Sequence, residues 1–167
     1  MTLPLSLDAI NGLPAPDFIA RYGALFEHSP WVVERSADLR PFADLHTGLM
    51  QALEQASEAE KLALIRAHPE LAGKAAIDKT LTQASTAEQA SAGLDRLTPE
   101  EFARFHALNA AYRAAHAMPF IICVRLTDKA GILSAMQARA GNPTAVEIAT
   151  ALAEIGKIVK LRLEDLT

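Results

Sequence analysis

The stretch NPTAVEIATALAEIGKIVKLRLEDLT (142–167) decides the fold class. Asn142 and Pro143 are typical of a helix start, and no further proline interrupts the sequence after them. At about 100° per residue, its apolar residues fall in one stripe. These residues are Ile148, Leu152, Ile155, Val159, Leu163 and Leu166. We therefore expect a long amphipathic helix that begins at Asn142-Pro143, faces a core and continues almost to Thr167.

The composition extends this expectation to the whole chain. Ala and Leu, which favour helices most strongly, are the most frequent residues, whereas aromatic residues make up only 5%. The length of 167 residues fits one domain. The single β-like cluster, PFIICV (119–124), has no partner strand in the sequence. We predict an all-α, single-domain compact bundle of about seven to eight helices over 1–167, with a buried extended or helical link near 119–124.

Capping residues and prolines predict where the other helices begin and end. Ser57 with Glu60 forms a capping box, and that helix should end near His68 because Pro69 follows. Residues 73–82 are expected to form a loop. The remaining helices are expected from Pro16 towards His28, from Pro30 to before Pro41, over 43–55, from Ser85 to about Gly93, from Thr98 to about His116, and after Asp128.

Charge and cysteine content exclude several kinds of protein. Sixteen basic and 20 acidic residues give a net charge of −4 without any basic run, which argues against a nucleic-acid partner. One cysteine excludes a disulfide framework, and no histidine spacing is typical of a metal site. The longest apolar stretch, 118–124, is far shorter than the roughly 20 residues of a membrane span. No basic residue precedes the first apolar positions, so the pattern of a secretory signal is not expected. A cytoplasmic protein is therefore expected.

Two residues could carry acid–base or anion-binding chemistry. Arg162 lies at the edge of the apolar stripe, where a guanidinium needs an anionic or carbonyl partner. Helical periodicity alone favours a structural role, in which Arg162 either extends its charged end to solvent or forms an internal salt bridge; the alternative is that it binds a ligand. His68 ends a predicted helix and is either an ordinary helix cap or a proton donor near neutral pH.

Three further segments allow a structural and a functional interpretation. Ser85 with Glu88 looks like a capping box, while Ser85, Glu88 and Gln89 could also line a hydrogen-bonding wall for a polar heterocycle. Cys123 lies in an apolar run without an adjacent base, so an inert buried thiol is expected. The helical stripe of Phe102, Phe105, Asn109 and Tyr112 is most simply core, with Asn109 as its one polar member.

The order of these segments along the chain is more specific than any one of them. HPELAGK (68–74) is followed by LTxxSxxEQxxxGL (81–94), FxxxNxxY (105–112), PFI (119–121), IL (132–133) and ExxKIxxxRL (154–163). This series closely resembles the 2-oxo-4-hydroxy-4-carboxy-5-ureidoimidazoline (OHCU) decarboxylase family of urate degradation. The resemblance covers most of the chain and is strongest between His68 and Gly93.

The resemblance implies an all-α homodimer that uses no cofactor and no metal. It also implies cofactor-independent decarboxylation of OHCU to (S)-allantoin and CO2, the last step of urate conversion to allantoin in purine catabolism, with possible coupling to the preceding 5-hydroxyisourate hydrolase. By motif position, the catalytic residues are His68, Glu88 and Arg162. The substrate-binding positions are Pro69, Ser85, Glu88, Gln89, Phe120, Ile121, Ile122 and Arg162.

One segment departs from the family pattern, because relatives usually carry an aromatic residue and a glycine before Pro-Phe. This chain has His116, Ala117 and Met118 there.

Two other functions stay open at this point. One is a non-catalytic helical binding module, which the presence of His68, Glu88 and Arg162 disfavours; the other is an enzyme acting on another ureido or imidazoline acid.

Overall fold

A computed structural model describes residues 4–73, 76 and 78–166, and within them every regular element is a helix. The all-α prediction is confirmed. Nine α-helices and one 3-10 helix are present in the described residues: α1 Leu7–Asn11, α2 Ala15–Tyr22, α3 Trp31–Ala37, α4 Leu45–Glu54, α5 Glu58–Arg66, α6 Gln83–Ser91, α7 Pro99–His116, the 3-10 helix Val124–Leu126, α8 Lys129–Ala140 and α9 Thr144–Asp165.

The count is higher than the seven or eight predicted because α1 was missed. This helix of five residues carries too little periodicity to be recognised, although Ser6 caps it by accepting a bond from Ala9 N. The other predicted starts are confirmed where a capping side chain precedes the helix. Capping boxes open α5 at Ser57 and α7 at Thr98, and Asp128 caps α8 by accepting from Gly131 N.

The predicted start of α6 at Ser85 is wrong. Thr82 is the N-cap, and its hydroxyl accepts the N–H of Ser85 at 3.2 Å. Ser85 therefore lies inside the first turn, and the Ser85–Glu88 capping box does not exist. Serine and threonine are both good N-caps, so local sequence could not decide between two candidates three residues apart. The predicted end is correct, since Gly93 follows the helix with φ +77°.

The chain divides into two compact units, while the predicted single domain over 1–167 stays a prediction. The first unit comprises 1–67 and 156–167, and in it α3 packs against α2 and α4. Its core residues are large apolar side chains from successive helices. They include Phe18, Val32, Val33, Leu49, Leu64 and Ile65.

The second unit comprises 68–155, and in it α7 packs against α8, and α6 against the 3-10 helix. Phe105 and Tyr112 are fully buried and Asn109 nearly so, as the predicted stripe requires. Phe102 contradicts that prediction, because it is 38% exposed. It lies in the first turn of the helix and borders a cavity of about 660 Å³ rather than the core.

The long C-terminal helix is confirmed as α9, with residues up to Ile155 in the second unit and from Gly156 in the first. Ile155 and Val159 are buried as the stripe predicts. Leu166 is 45% exposed, so its assignment to the core is wrong. The helix ends at Asp165, and a residue beyond the last turn no longer follows the helical stripe.

The apolar link is non-helical over 119–123 and enters the 3-10 helix at Val124. Phe120, Ile121 and Cys123 are buried in it, whereas Ile122 is only half-buried. Within the part of the chain that the structure describes, no helix is long and apolar enough to cross a membrane.

Candidate active site

The loop that follows α5 carries His68 and is held in place by side chains of two other helices. His68 is half-buried and is the first residue of the second unit, two positions beyond the end of α5. Three successive residues of the loop are bonded to α6 or α7. Glu70 Oε1 accepts from Arg113 Nη1 at 2.5 Å, Leu71 O accepts from Asn109 Nδ2 at 2.8 Å, and Ala72 N donates to Gln89 Oε1 at 3.0 Å.

These bonds explain why α6 and α7 each carry a buried polar side chain, Gln89 and Asn109. A buried amide group is costly unless its partners are present, and both Asn109 and Gln89 satisfy main-chain groups of the His68 loop. Ala72 has φ +52°, a conformation that L residues adopt only with outside support. The loop is thereby fixed beside α6, the helix that carries the predicted catalytic residue Glu88. Lys74, the last residue of the HPELAGK motif, lies outside the described residues.

Helix α6 presents three predicted site residues on adjoining faces. Ser85 and Gln89 are buried and Glu88 is half-buried. Because Gln89 Oε1 is used by Ala72 N, its Nε2 is the group that Gln89 can offer to a ligand. The 660 Å³ cavity touches Gln89 but is lined by neither Glu88 nor His68.

The link at 119–123 is the third part of the second unit's site, since the 3-10 helix that follows it packs against α6. Burial raises the pKa of the Cys123 thiol, and the carboxylates of Glu154 and Glu88 raise it further. A protonated, buried thiol agrees with the inert role expected for Cys123. The second unit therefore brings together the His68–Pro69 loop, α6 and the residues Phe120–Ile122.

A buried polar network lies behind this link and was not anticipated from the sequence. The carboxylate of Glu147, 0% exposed, accepts bonds from Tyr112 Oη at 2.7 Å, Arg139 Nε at 2.8 Å and Asn142 Nδ2 at 3.0 Å. Burial alone would raise the pKa of Glu147, yet these bonds lower it. Burial and the Glu147 carboxylate raise the pKa of Tyr112, which keeps the phenol protonated as a donor.

Arg162 belongs to the first unit, where it forms a buried ion pair. Its Nη2 lies 3.2 Å from Glu27 Oε2 and its Nη1 donates to Leu25 O at 3.2 Å. Both side chains are almost completely buried. Of the two interpretations of Arg162, the structure shows the internal carboxylate partner; its contact with a substrate stays a prediction.

Sequence reasoning gave no role to Arg139, Glu147 and Glu154, which the fold places in or behind the link of the candidate site. In a helical wheel these residues are ordinary charged positions, and only the fold shows that they point inward. Two signs were visible in the sequence: Asn109, a polar residue within an apolar stripe, and Glu154, the first residue of the ExxKIxxxRL motif. In 4–73, 76 and 78–166, no group of three or more His, Cys, Asp or Glu side chains is arranged to hold a metal ion.

Together the fold and these groups define a class: a small all-α protein with a histidine on one anchored loop and a glutamate on one short helix. Comparison with known proteins then gives the family. The family model described as OHCU decarboxylase matches residues 11–164. The chain belongs to the OHCU decarboxylase family.

OHCU decarboxylase relatives match over nearly the full length of both chains, and a longer bifunctional relative matches over about a third of its own length. The chain is 38% identical to the OHCU decarboxylase of Haloferax volcanii, covering 96% of this chain and 95% of the relative. It is 33% identical to that of Xenopus laevis, covering 97% and 94%. A uric acid degradation bifunctional protein of Bacillus subtilis is 36% identical, and the match covers 96% of this chain and 32% of that protein.

Solved structures show the same fold. The crystal structure of an (S)-allantoin synthase superposes with a TM-score of 0.75 at 26% identity, over 98% of this chain and 54% of that one. The chain thus spans about half of that protein. An OHCU decarboxylase crystallised in the presence of (S)-allantoin has a TM-score of 0.63 at 21% identity, over 81% of this chain and 89% of that one.

Proposed function

We propose that this protein decarboxylates OHCU to (S)-allantoin and CO2, without a cofactor, in urate degradation. The observation that carries the proposal is the family match over residues 11–164, which includes His68, Glu88 and Arg162. The half-buried His68 and Glu88 and the bonds that fix the His68 loop support it, because acid–base catalysis requires positioned groups.

The chemistry requires only proton transfer and charge stabilisation. Cleavage of the bond to the carboxylate leaves an electron pair, which the ring C=N of the substrate accepts. The resulting enol-like intermediate must convert its hydroxyl into a carbonyl and take up a proton on one face of the neighbouring carbon. His68 acts as general acid/base at the hydroxyl-bearing side.

The other residues bind and orient the substrate. Glu88 accepts N–H groups of the ureido substituent or the ring, and Arg162 donates to a carbonyl or anionic oxygen. Pro69, Ser85 and Phe120 line the site, Gln89 offers its Nε2 amide, and the main chain at Ile121 and Ile122 completes the polar contacts. Buried Phe120 provides the drier wall towards which the carboxylate leaves.

The test is circular dichroism of allantoin formed from freshly generated substrate in chelator-treated buffer. We expect a fast signal of the (S) hand with the protein present. Without enzyme, the substrate is expected to decay slowly to racemic allantoin. If the protein gives only that background, the proposed function is wrong and a helical binding module is favoured instead.

We further propose a cytoplasmic homodimer that works in sequence with a 5-hydroxyisourate hydrolase. The family resemblance supports the dimer, and the match to a bifunctional uric acid degradation protein supports coupling of steps. Sedimentation equilibrium should give twice the chain mass of 17.9 kDa. A monomer at micromolar concentration would contradict the dimer.

A further inference from the structure

The main chain around Ile122 is held on both sides by charged side chains that the proposed mechanism does not use. Ile121 O accepts a bond from Arg139 Nη1 at 2.7 Å, and Cys123 N donates to Glu154 Oε1 at 3.1 Å. Among the described residues, no hydrogen bond engages the N–H or the C=O of Ile122 itself. Ile122 is also the half-buried member of the link.

Because each peptide unit is planar, these two bonds set the direction of the N–H and the C=O of Ile122. Ile121 O and the N–H of Ile122 belong to one planar unit, so the bond from Arg139 sets the direction of that N–H. Likewise, the N–H of Cys123 and Ile122 C=O share the next unit, so Glu154 sets the direction of that carbonyl. Both uncommitted groups of Ile122 are therefore oriented by side chains bonded at the far end of each peptide.

The two charges also strengthen the groups that they orient. A guanidinium bonded to a carbonyl polarises its peptide and makes the N–H a better donor. A carboxylate bonded to an N–H makes the carbonyl of that peptide a better acceptor. The Ile122 main chain then offers a strong donor and a strong acceptor side by side.

Arg139 is itself held rigidly. Its Nε bonds to the buried carboxylate of Glu147, and its guanidinium lies 4.3 Å from the centre of the Phe120 ring. Tyr112 contacts the same ring edge-on at 5.3 Å and bonds to Glu147. The network thus fixes Arg139 relative to the link, which a surface arginine could not do.

We propose that Arg139 and Glu154 are positioning residues that hold the main chain of Ile122 for a donor–acceptor ligand edge, here the ureido group of the substrate. The assignment of the ureido group rests on the proposed function. A ureido group carries both N–H donors and a carbonyl acceptor, which complements the two groups of Ile122. Neither positioning residue needs to touch the substrate.

Glu154 offers a matched pair of variants. Glu154→Gln keeps an oxygen acceptor for Cys123 N, whereas Glu154→Met has a similar length and no comparable acceptor. We expect Glu154→Gln to keep kcat/KM within about fivefold and Glu154→Met to lose about 10- to 100-fold, mainly through KM. The excess of (S)-allantoin should fall in Glu154→Met alone. Ile132→Val, a core change in the same unit, should lower the melting temperature without changing either readout.

An NMR readout tests the positioning without turnover. The ¹⁵N–¹H resonance of Ile122 should shift on titration with (S)-allantoin in the wild type and in Glu154→Gln, with much weaker affinity in Glu154→Met. A folded Glu154→Met protein with unchanged KM and an unchanged Ile122 titration would overturn the proposal, as would an Ile122 resonance that does not respond in the wild type. Absence of stereoselective turnover together with an Ile122 response would instead overturn only the proposed function.

Discussion

His68 occupies a loop rather than a helix, and this position separates its chemistry from the stability of the fold. It is half-buried, and the side chains that anchor its loop are bonded to Glu70, Leu71 and Ala72. We therefore expect His68→Ala to abolish (S)-selective turnover while the free energy of unfolding changes by less than about 1 kcal/mol. Circular dichroism of the product and urea unfolding measure the two quantities. His106→Ala, at an exposed site on α7, is the control and should keep normal turnover.

Normal rate and stereochemistry in His68→Ala would remove His68 from the mechanism. A large loss of stability would show that its role is structural.

Arg162 has a visible structural role and a proposed chemical one, and its partner Glu27 distinguishes them. Arg162→Lys cannot reproduce both the bond to Leu25 O and the ion pair with Glu27. We expect it to destabilise the protein by about 1–3 kcal/mol and to raise KM at least tenfold. Glu27→Gln should also destabilise but leave KM near the wild-type value. A wild-type KM in both Arg162→Lys and Glu27→Gln would show that Arg162 serves the ion pair alone.

The predictable residues and the unpredictable ones differ in what determines them. The HPELAGK and SxxEQ motifs identify His68, Glu88 and Gln89 through family resemblance, because their order along the chain is specific. The ExxKIxxxRL motif contains Glu154, but the roles of Glu154 and Arg139 could not be identified, since these roles depend on which main-chain groups the fold leaves beside them. Helical periodicity gives the face of a helix and not the partner on that face.

At the scale of elements, the departure from the family pattern at His116–Met118 places an alanine at the end of α7, where the backbone conformation favours glycine. Ala117 is the C-cap with φ +56° and ψ +33°, the left-handed conformation that favours glycine. Ala117→Gly should therefore raise the free energy of unfolding by about 1 kcal/mol. Ala110→Gly, at an exposed position inside the same helix, should lower it by about 1 kcal/mol. Urea unfolding of both variants is the measurement, and equal signs would contradict the cap assignment.

The first turn of α9 gives the second unit a dependence on pH through Glu147. The pKa of this carboxylate is lower in the folded protein than its ordinary value of 4.5. As the pH falls below about 5, the unfolded chain takes up a proton first, so stability falls until the pH passes below the folded pKa. The stabilisation that Glu147 contributes is therefore fully present at pH values above its ordinary pKa of 4.5. In Glu147→Gln, urea unfolding between about pH 5 and 3 should show a shallower loss than the wild type.

An equally steep loss in Glu147→Gln would show that other carboxylates determine the acid limb. Glu60 is the comparison, because its bonds to Arg35 and Ser57 lower its pKa to about 2. Glu60→Gln tests whether this exposed carboxylate contributes to the same limb.

The start of a helix could be predicted where the sequence offers a single N-cap residue, but not where two N-cap residues compete. Thr98 followed by Pro99 defines the start of α7 without a rival, and the structure places it there. Thr82 and Ser85 are equivalent as caps, and the choice between them follows from tertiary packing, which buries Ser85. The exposure of Phe102 has a similar origin, since a first-turn residue can border a cavity while its stripe neighbours are in the core.

For the whole molecule, the proposed function requires discrimination between mirror-image products and not merely affinity for a ureido compound. The groups in the second unit are fixed by hydrogen bonds before any ligand arrives: the His68 loop by Asn109 and Gln89, and the link by Arg139 and Glu154. A preformed chiral arrangement of donors and acceptors should bind (S)-allantoin more tightly than (R)-allantoin.

Ligand binding then converts this selectivity into stability. A ligand at about 100 times its Kd stabilises the folded state by about 2.7 kcal/mol, so (S)-allantoin should raise the melting temperature more than (R)-allantoin at equal concentration. Hydrogen exchange should slow in the His68 loop, α6 and the link. His68→Ala should keep most of the shift, because proton transfer and product binding are separate properties. Equal shifts for both enantiomers would mean that the preformed groups do not select the product, and that any stereochemical control arises only during protonation.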